Sequence, residues 1–135
     1  GSVYRSYPIP ILVKFVNRKI LMLPDPRSTK RISKDKLKTD ILVLAGPSKV
    51  NYRSYLKSLE YVLRDTTPQI LVLCVDSSFA DKNIMDVIEK ASDFSIQNVA
   101  KFIRTDSSGT VSFKITGNVL SEEPETFLSY EFKTF

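Results

Sequence analysis

Asp25, Asp40, Asp76 and Asp106 each stand beside a predicted strand end, where ligands gather in α/β sheets. Converging, four carboxylates could hold Mg²⁺ or a similar hard cation; apart, they cap helices and terminate strands. The rest of the chemically capable set is thin. The chain has 135 residues, no histidine, and Cys74 as its one cysteine. Histidine is the usual general base, proton shuttle and zinc ligand near neutral pH, so most hydrolytic and zinc-dependent mechanisms are closed off. Ser77-Ser78 would need Lys82 as its base, an arrangement without spacing support, and reads as a solvated loop. Gly46-Pro47-Ser48-Lys49 resembles a phosphate-cradling turn before a helix but lacks the glycine spacing of a P-loop. Cys74 sits inside the apolar run Ile70 to Val75 and reads as a buried, inert thiol. Binding is expected rather than catalysis, with no cofactor and no bound metal.

Charge gives the binding surface a location. Arg27, Lys30, Arg31, Lys34, Lys36 and Lys38 face Asp35 alone within residues 27–38, so this one stretch accounts for the whole net charge of +5. Such a stretch can neutralise the phosphates of DNA or of an anionic lipid surface; the plainer reading is a solvated loop. Tyr52 and Tyr55 fall on the apolar face of a helix, so no stacking platform accompanies the charge.

The elements that must position these residues follow from periodicity. Residues 9–16 and 20–23 read as a hairpin turning at Asn17-Arg18-Lys19, and Pro24-Asp25-Pro26 stops its second strand. Residues 27–38 are expected to be an exposed connection. Ile41 to Ala45 is a strand buried on both faces, ended by Gly46-Pro47. Residues 52–63 repeat apolar positions at three- and four-residue spacing, so a helix follows, capped by Ser48 or Asn51. Ile70 to Val75 is a second buried strand. A second helix, capped by Asp81 or Asn83, turns Ile84, Met85, Val87, Ile88 and Ala91 inward. Val99 to Ile103 reads as a third strand that turns at Asp106-Ser107-Ser108-Gly109 into an antiparallel strand over 110–115, and residues 126–135 as an edge strand.

This order predicts one α/β domain over residues 1–135, a mixed sheet with helices on at least one face. Strands apolar on both sides then require a cover for the second face, supplied by a second copy, a partner or a missing half-domain. No apolar run reaches the roughly 18 to 20 residues of a membrane span, so a soluble domain is expected. Gly1-Ser2 reads as a scar of tag removal, which implies a piece of a longer protein.

Taken in order, the motifs resemble the second half of a metallo-β-lactamase-fold domain, and most closely the one appended to ComEC-type competence proteins, which carry DNA across bacterial membranes. The matching segments are Ile20-Leu21-Met22-Leu23-Pro24-Asp25, Thr39-Asp40-Ile41-Leu42-Val43-Leu44-Ala45-Gly46-Pro47, Pro68-Gln69-Ile70-Leu71-Val72-Leu73 and Ile103-Arg104-Thr105-Asp106-Ser107-Ser108-Gly109-Thr110-Val111. The last is the most specific, and the likeness runs from about Ile11 to Lys114.

The resemblance implies half of an αββα sandwich and a role in DNA uptake. It also implies a lost metal site: Gly46 and Pro47 stand where the family carries metal-binding residues, and Asp25 remains at the position of the bridging carboxylate. Active domains of the family are nucleases; this one is expected to be a pseudoenzyme that binds DNA through Arg27, Lys30, Arg31, Lys34, Lys36 and Lys38, or that serves assembly. Its expected partners are DNA, the membrane-embedded remainder of the parent protein, and a second copy or half-domain over the open sheet face. The alternative is a protein-interaction module of an unrelated small α/β fold with no nucleic-acid role.

Overall fold

The structure is a computed structural model that describes residues 9–15, 17–47, 52–75, 82–108, 112–116 and 119–123. Five strands form one mixed sheet in the order β1 (Ile11–Phe15), β2 (Arg18–Leu23), β3 (Ile41–Ala45), β4 (Ile70–Cys74) and β5 (Lys101–Arg104). β1 and β2 are an antiparallel hairpin, and β2 through β5 run parallel. Helix α1 (Tyr52–Thr66) links β3 to β4, and α2 (Lys82–Gln97) links β4 to β5. The α/β class is that of the sequence reading.

Register explains why the sheet has two unlike faces. Leu21, Leu42 and Leu71 lie side by side across three strands, as do Leu23, Leu44 and Leu73. All six are buried in one core with Leu59 and Leu63 of α1 and Val87 and Ala91 of α2, so both helices cover the leucine face. The opposite face is β-branched: Ile41, Ile70, Val72 and Ile103 form a second, smaller buried cluster. Toward β1 that face opens, and Ile11, Val13 and Met22 are exposed.

A parallel pair needs a long crossover, and between β2 and β3 no α-helix supplies it. The chain instead makes two 3-10 helices, Pro26–Arg31 and Lys34–Lys36. Pro26, Ser28 and Leu37 are buried, Ile32 packs against the core, and the first 3-10 helix lies beside α1. Residues 27–38 are therefore not a uniformly exposed connection: the link has a core side and a lysine side.

Several local expectations are corrected. Arg18 and Lys19 pair within β2 rather than forming the turn. Asn83 lies inside α2 and is not its cap, while Ser48, Asn51 and Asp81 fall outside the described residues. Met85 is 57% exposed and does not join the apolar face. Residues 105–108 form a short helix, α3 (Thr105–Ser108), rather than a hairpin turn. β6 (Ser112–Thr116) pairs with β7 (Val119–Glu123) in its own two-stranded sheet and not with β5. The expected edge strand over 126–135 lies outside the described residues. No helix among the described residues is long and apolar enough to cross a membrane.

Val99, expected in a strand, instead ends α2. Ala100 N–H donates to Ser95 O at 2.9 Å and Val99 N–H to Ile96 O at 3.5 Å, the paired bonds of a Schellman motif. Val99 occupies its left-handed position, at φ 54°, where a β-branched residue is strained and glycine is not. Its side chain is 93% exposed, so little packing offsets the strain. Val99→Gly is therefore expected to stabilise the protein by about 1 kcal/mol, read as a raised midpoint in thermal or urea unfolding.

Candidate functional site

The carboxyl ends of the parallel strands gather Asp25, Gly46, Cys74 and Asp106, the positions where a ligand of an α/β sheet would sit. Among the described residues this edge is tied together from within. Asp25 caps the first 3-10 helix by accepting from Arg27 N–H at 2.9 Å. The same carboxylate takes the Arg27 guanidinium through both oxygens, from Nε at 2.9 Å and from a terminal nitrogen at 2.6 Å. Asp106 is held in the same way by Arg104, at 3.0 and 2.7 Å. Each of these two edge carboxylates is thus paired with an arginine two residues away, in a bidentate fork.

The backbone completes the closure. Gly46 N–H donates to Cys74 O at 2.8 Å, joining the ends of β3 and β4. A Cβ at position 46 would meet that carbonyl oxygen at 2.9 Å, so glycine is required by the close approach of two main chains. The Tyr55 hydroxyl, buried under this edge, donates to Ala45 O at 2.6 Å. Val75 N–H donates to Thr105 Oγ1 at 2.9 Å, tying β4 to the end of β5.

Electrostatics agree with this reading. Burial pushes the Asp25 carboxyl up, but the hydrogen bonds and charge of Arg27 outweigh it and leave the pKa lowered. Burial, with the nearby Asp25 and Cys74, pushes the Tyr55 phenol well above its ordinary range. Burial also raises the Cys74 thiol, which disfavours the reactive thiolate. The edge therefore carries no poised base and no activated nucleophile among the described residues.

The four aspartates do not converge. Asp40 lies at the opposite, amino edge, where its carboxylate accepts from Lys19 N–H at 2.7 Å and Arg18 at 3.2 Å, and its carbonyl accepts from Gln69 and Ile70. It clamps the starts of β2, β3 and β4. Asp76, Ser77 and Ser78, with Ser48 and Lys49, lie outside the described residues. No group of three or more cysteine, aspartate and glutamate side chains is placed to hold a metal ion among the described residues.

The six basic residues separate into two sets. Arg27 is turned onto Asp25, its side chain 14% exposed, and is not a free surface cation. Lys30, Lys34, Lys36 and Lys38 are exposed, and none forms an ion pair among the described residues. The Arg31 side chain lies outside what is described. Sequence reasoning missed both arginine locks, although oppositely charged residues two apart around Pro26 and around Thr105 are their signal.

Two open clefts lie away from the carboxyl edge. One, of about 330 Å³ at the amino edge, is lined by Lys19, Lys38, Asp40 and Gln69 among others. The other, of about 450 Å³, lies between the carboxyl-terminal halves of α1 and α2. Comparison of the chain with protein-family models, curated proteins and solved structures finds no match.

The Asp25 pair fixes a pH dependence. A carboxyl held below its unfolded pKa of about 3.9 contributes stability above that pH, and the contribution is lost as pH falls through the folded value. Asp25→Asn is expected to cost about 1 kcal/mol at pH 7, discounted for the remaining solvent exposure, and its deficit should shrink below about pH 4. Urea titrations of both proteins at pH 7 and pH 3 check this. Gly46→Ala should lower the thermal midpoint, because its Cβ forces β3 away from Cys74.

Proposed function

We propose that the chain is a non-catalytic domain that binds DNA through the lysine side of the β2 to β3 crossover, as part of a ComEC-type competence protein. The observation that carries the binding role is the presentation of Lys30, Lys34, Lys36 and Lys38. Their backbone is anchored by buried Pro26, Ser28 and Leu37, so the charges are displayed from a docked segment rather than a loose loop. Anchoring lowers the entropy lost when such cations meet phosphates. Asp35 alone offsets them within the segment, and Arg27 does not add to the surface because it neutralises Asp25.

The non-catalytic part of the reading rests on the two arginine locks and on the close packing at Gly46. Two-metal hydrolysis needs free carboxylates or imidazoles around ions about 3.5–4 Å apart. Here the carboxylates of Asp25 and Asp106 are spent on Arg27 and Arg104. The family assignment rests on the ordered motif matches from Ile20 to Val111, and the parent's membrane-embedded remainder is the partner it brings with it.

Binding is tested by fluorescence anisotropy with labelled duplex DNA across a salt series. Four lysine–phosphate contacts predict a log–log slope of about −3 to −4 in salt. Replacing Lys30, Lys34, Lys36 and Lys38 together by Glu should abolish the salt-dependent binding, while thermal stability stays close to that of the wild type. Incubation of DNA with the protein and Mg²⁺, Mn²⁺ or Zn²⁺ should leave it uncut, and cleavage lost on Asp25→Ala would overturn the reading.

A further inference from the structure

Helix α1 carries a second cationic stripe. Arg53, Lys57, Tyr61 and Arg64 follow one another at spacings of four, four and three, which places them on a single helical face. All four are exposed, Tyr61 at 55%. The Arg64 guanidinium lies 5.8 Å from the centroid of the Tyr61 ring. Arg53 and Lys57 form no ion pair among the described residues. Glu60 lies on the same face and pairs with Arg64 at 3.8 Å, so Arg53 and Lys57 are the cations there without an ion pair among the described residues, beside the exposed ring of Tyr61.

The stripe ends at the cleft between α1 and α2. That cleft, about 450 Å³, falls within the range of about 300–1,000 Å³ typical of ligand pockets. Leu63 and Phe94 give it apolar lining, and Gln97 gives it an amide that both donates and accepts. Its charges are balanced, with Glu60 and Asp93 against Arg64 and Lys90. Glu60 is already shared between Lys90 at 3.3 Å and Arg64 at 3.8 Å. A balanced, partly apolar cleft suits an uncharged polar ring better than a phosphate, whereas the flanking Arg53 and Lys57 suit phosphates.

We infer that this face of α1 binds single-stranded nucleic acid, with one base stacked on Tyr61, a neighbouring base in the α1/α2 cleft, and the backbone phosphates on Arg53 and Lys57. The single strand follows from the tyrosine, because stacking on a protein ring requires a base freed from its duplex. The inference rests on the proposed nucleic-acid role, and adds a strand preference and a site distinct from the crossover lysines.

Anisotropy of a labelled thymidine oligonucleotide of about 16 nucleotides, beside a duplex of equal length, separates the two sites. Tyr61→Ala should weaken single-strand binding about tenfold and leave duplex binding unchanged, and Tyr61→Phe should bind as the wild type does. Arg53→Glu with Lys57→Glu should weaken the single strand further and flatten its salt dependence. If Tyr61→Ala binds the single strand like the wild type, or weakens both forms equally, this inference falls and the crossover site stands. If the wild type binds neither form at low salt, both fall.

Discussion

The parallel pairing of β2 with β3 is the constraint on which most of this structure depends. An antiparallel neighbour could have followed β2 through a two-residue turn, but a parallel one obliges the chain to travel back along the full strand. The sequence does this between Leu23 and Ile41 without an α-helix. The first 3-10 helix then lies beside α1, and the crossover turns Pro26, Ser28, Ile32 and Leu37 inward. Once those positions are inside, Lys30, Lys34, Lys36 and Lys38 have only the solvent side left. The basic surface is thus a consequence of sheet topology as much as of composition.

The same topology brings Asp25 to the carboxyl edge, immediately after β2 and beside the end of β3. A carboxylate partly withdrawn from water there must find a counter-charge or become protonated. Arg27 supplies one from the first turn of the crossover, and the pair caps the 3-10 helix as well. Arg104 and Asp106 repeat the solution at the end of β5. Charge balance at the edge is therefore internal and local, made by residues two apart in sequence.

Much of the fold was legible because parallel strands buried on both faces announce themselves as continuous apolar runs. Ile41 to Ala45 and Ile70 to Cys74 are of this kind, and the three- and four-residue spacing of Tyr55, Leu59, Val62 and Leu63 marks α1 equally clearly. The division of the faces was present as well, since leucines alternate with β-branched residues along β3 and β4, though a run without polar residues conceals which side meets the helices. The crossover was misread because its apolar anchors are sparse and follow neither the helical nor the strand period. Val99 was misread for a different reason: β-branched residues favour strands, and here the hydrogen bonds of a helix terminus override that preference. Arg27 belongs to the basic run by charge alone, and the carboxylate two residues before it takes its guanidinium out of that surface.

Tyr61 illustrates how far a proposed site can be separated from its sequence signal. Composition points to residues 27–38, where the whole net charge resides. Along α1 the cations Arg53, Lys57 and Arg64 are diluted by Glu60 and Asp65, and the local charge is unremarkable. Folding sorts them: Glu60 is shared between Lys90 of α2 and Arg64, which leaves Arg53 and Lys57 without an ion pair among the described residues and the ring of Tyr61 exposed beside them. The buried face of α1 is consumed by the leucine core, and its flank toward α2 by the Glu60–Lys90 contact and by Tyr52, whose hydroxyl donates to Asp86 at 2.5 Å. What remains to solvent is a face that contacts among the described residues do not claim in full. Exposed cations without an ion pair among the described residues accordingly lie on the outer surfaces of α1 and of the crossover, at Arg53, Lys57, Lys30, Lys34, Lys36 and Lys38, while the described strand ends are tied to one another by Gly46 and Cys74 and carry the Asp25–Arg27 and Asp106–Arg104 pairs.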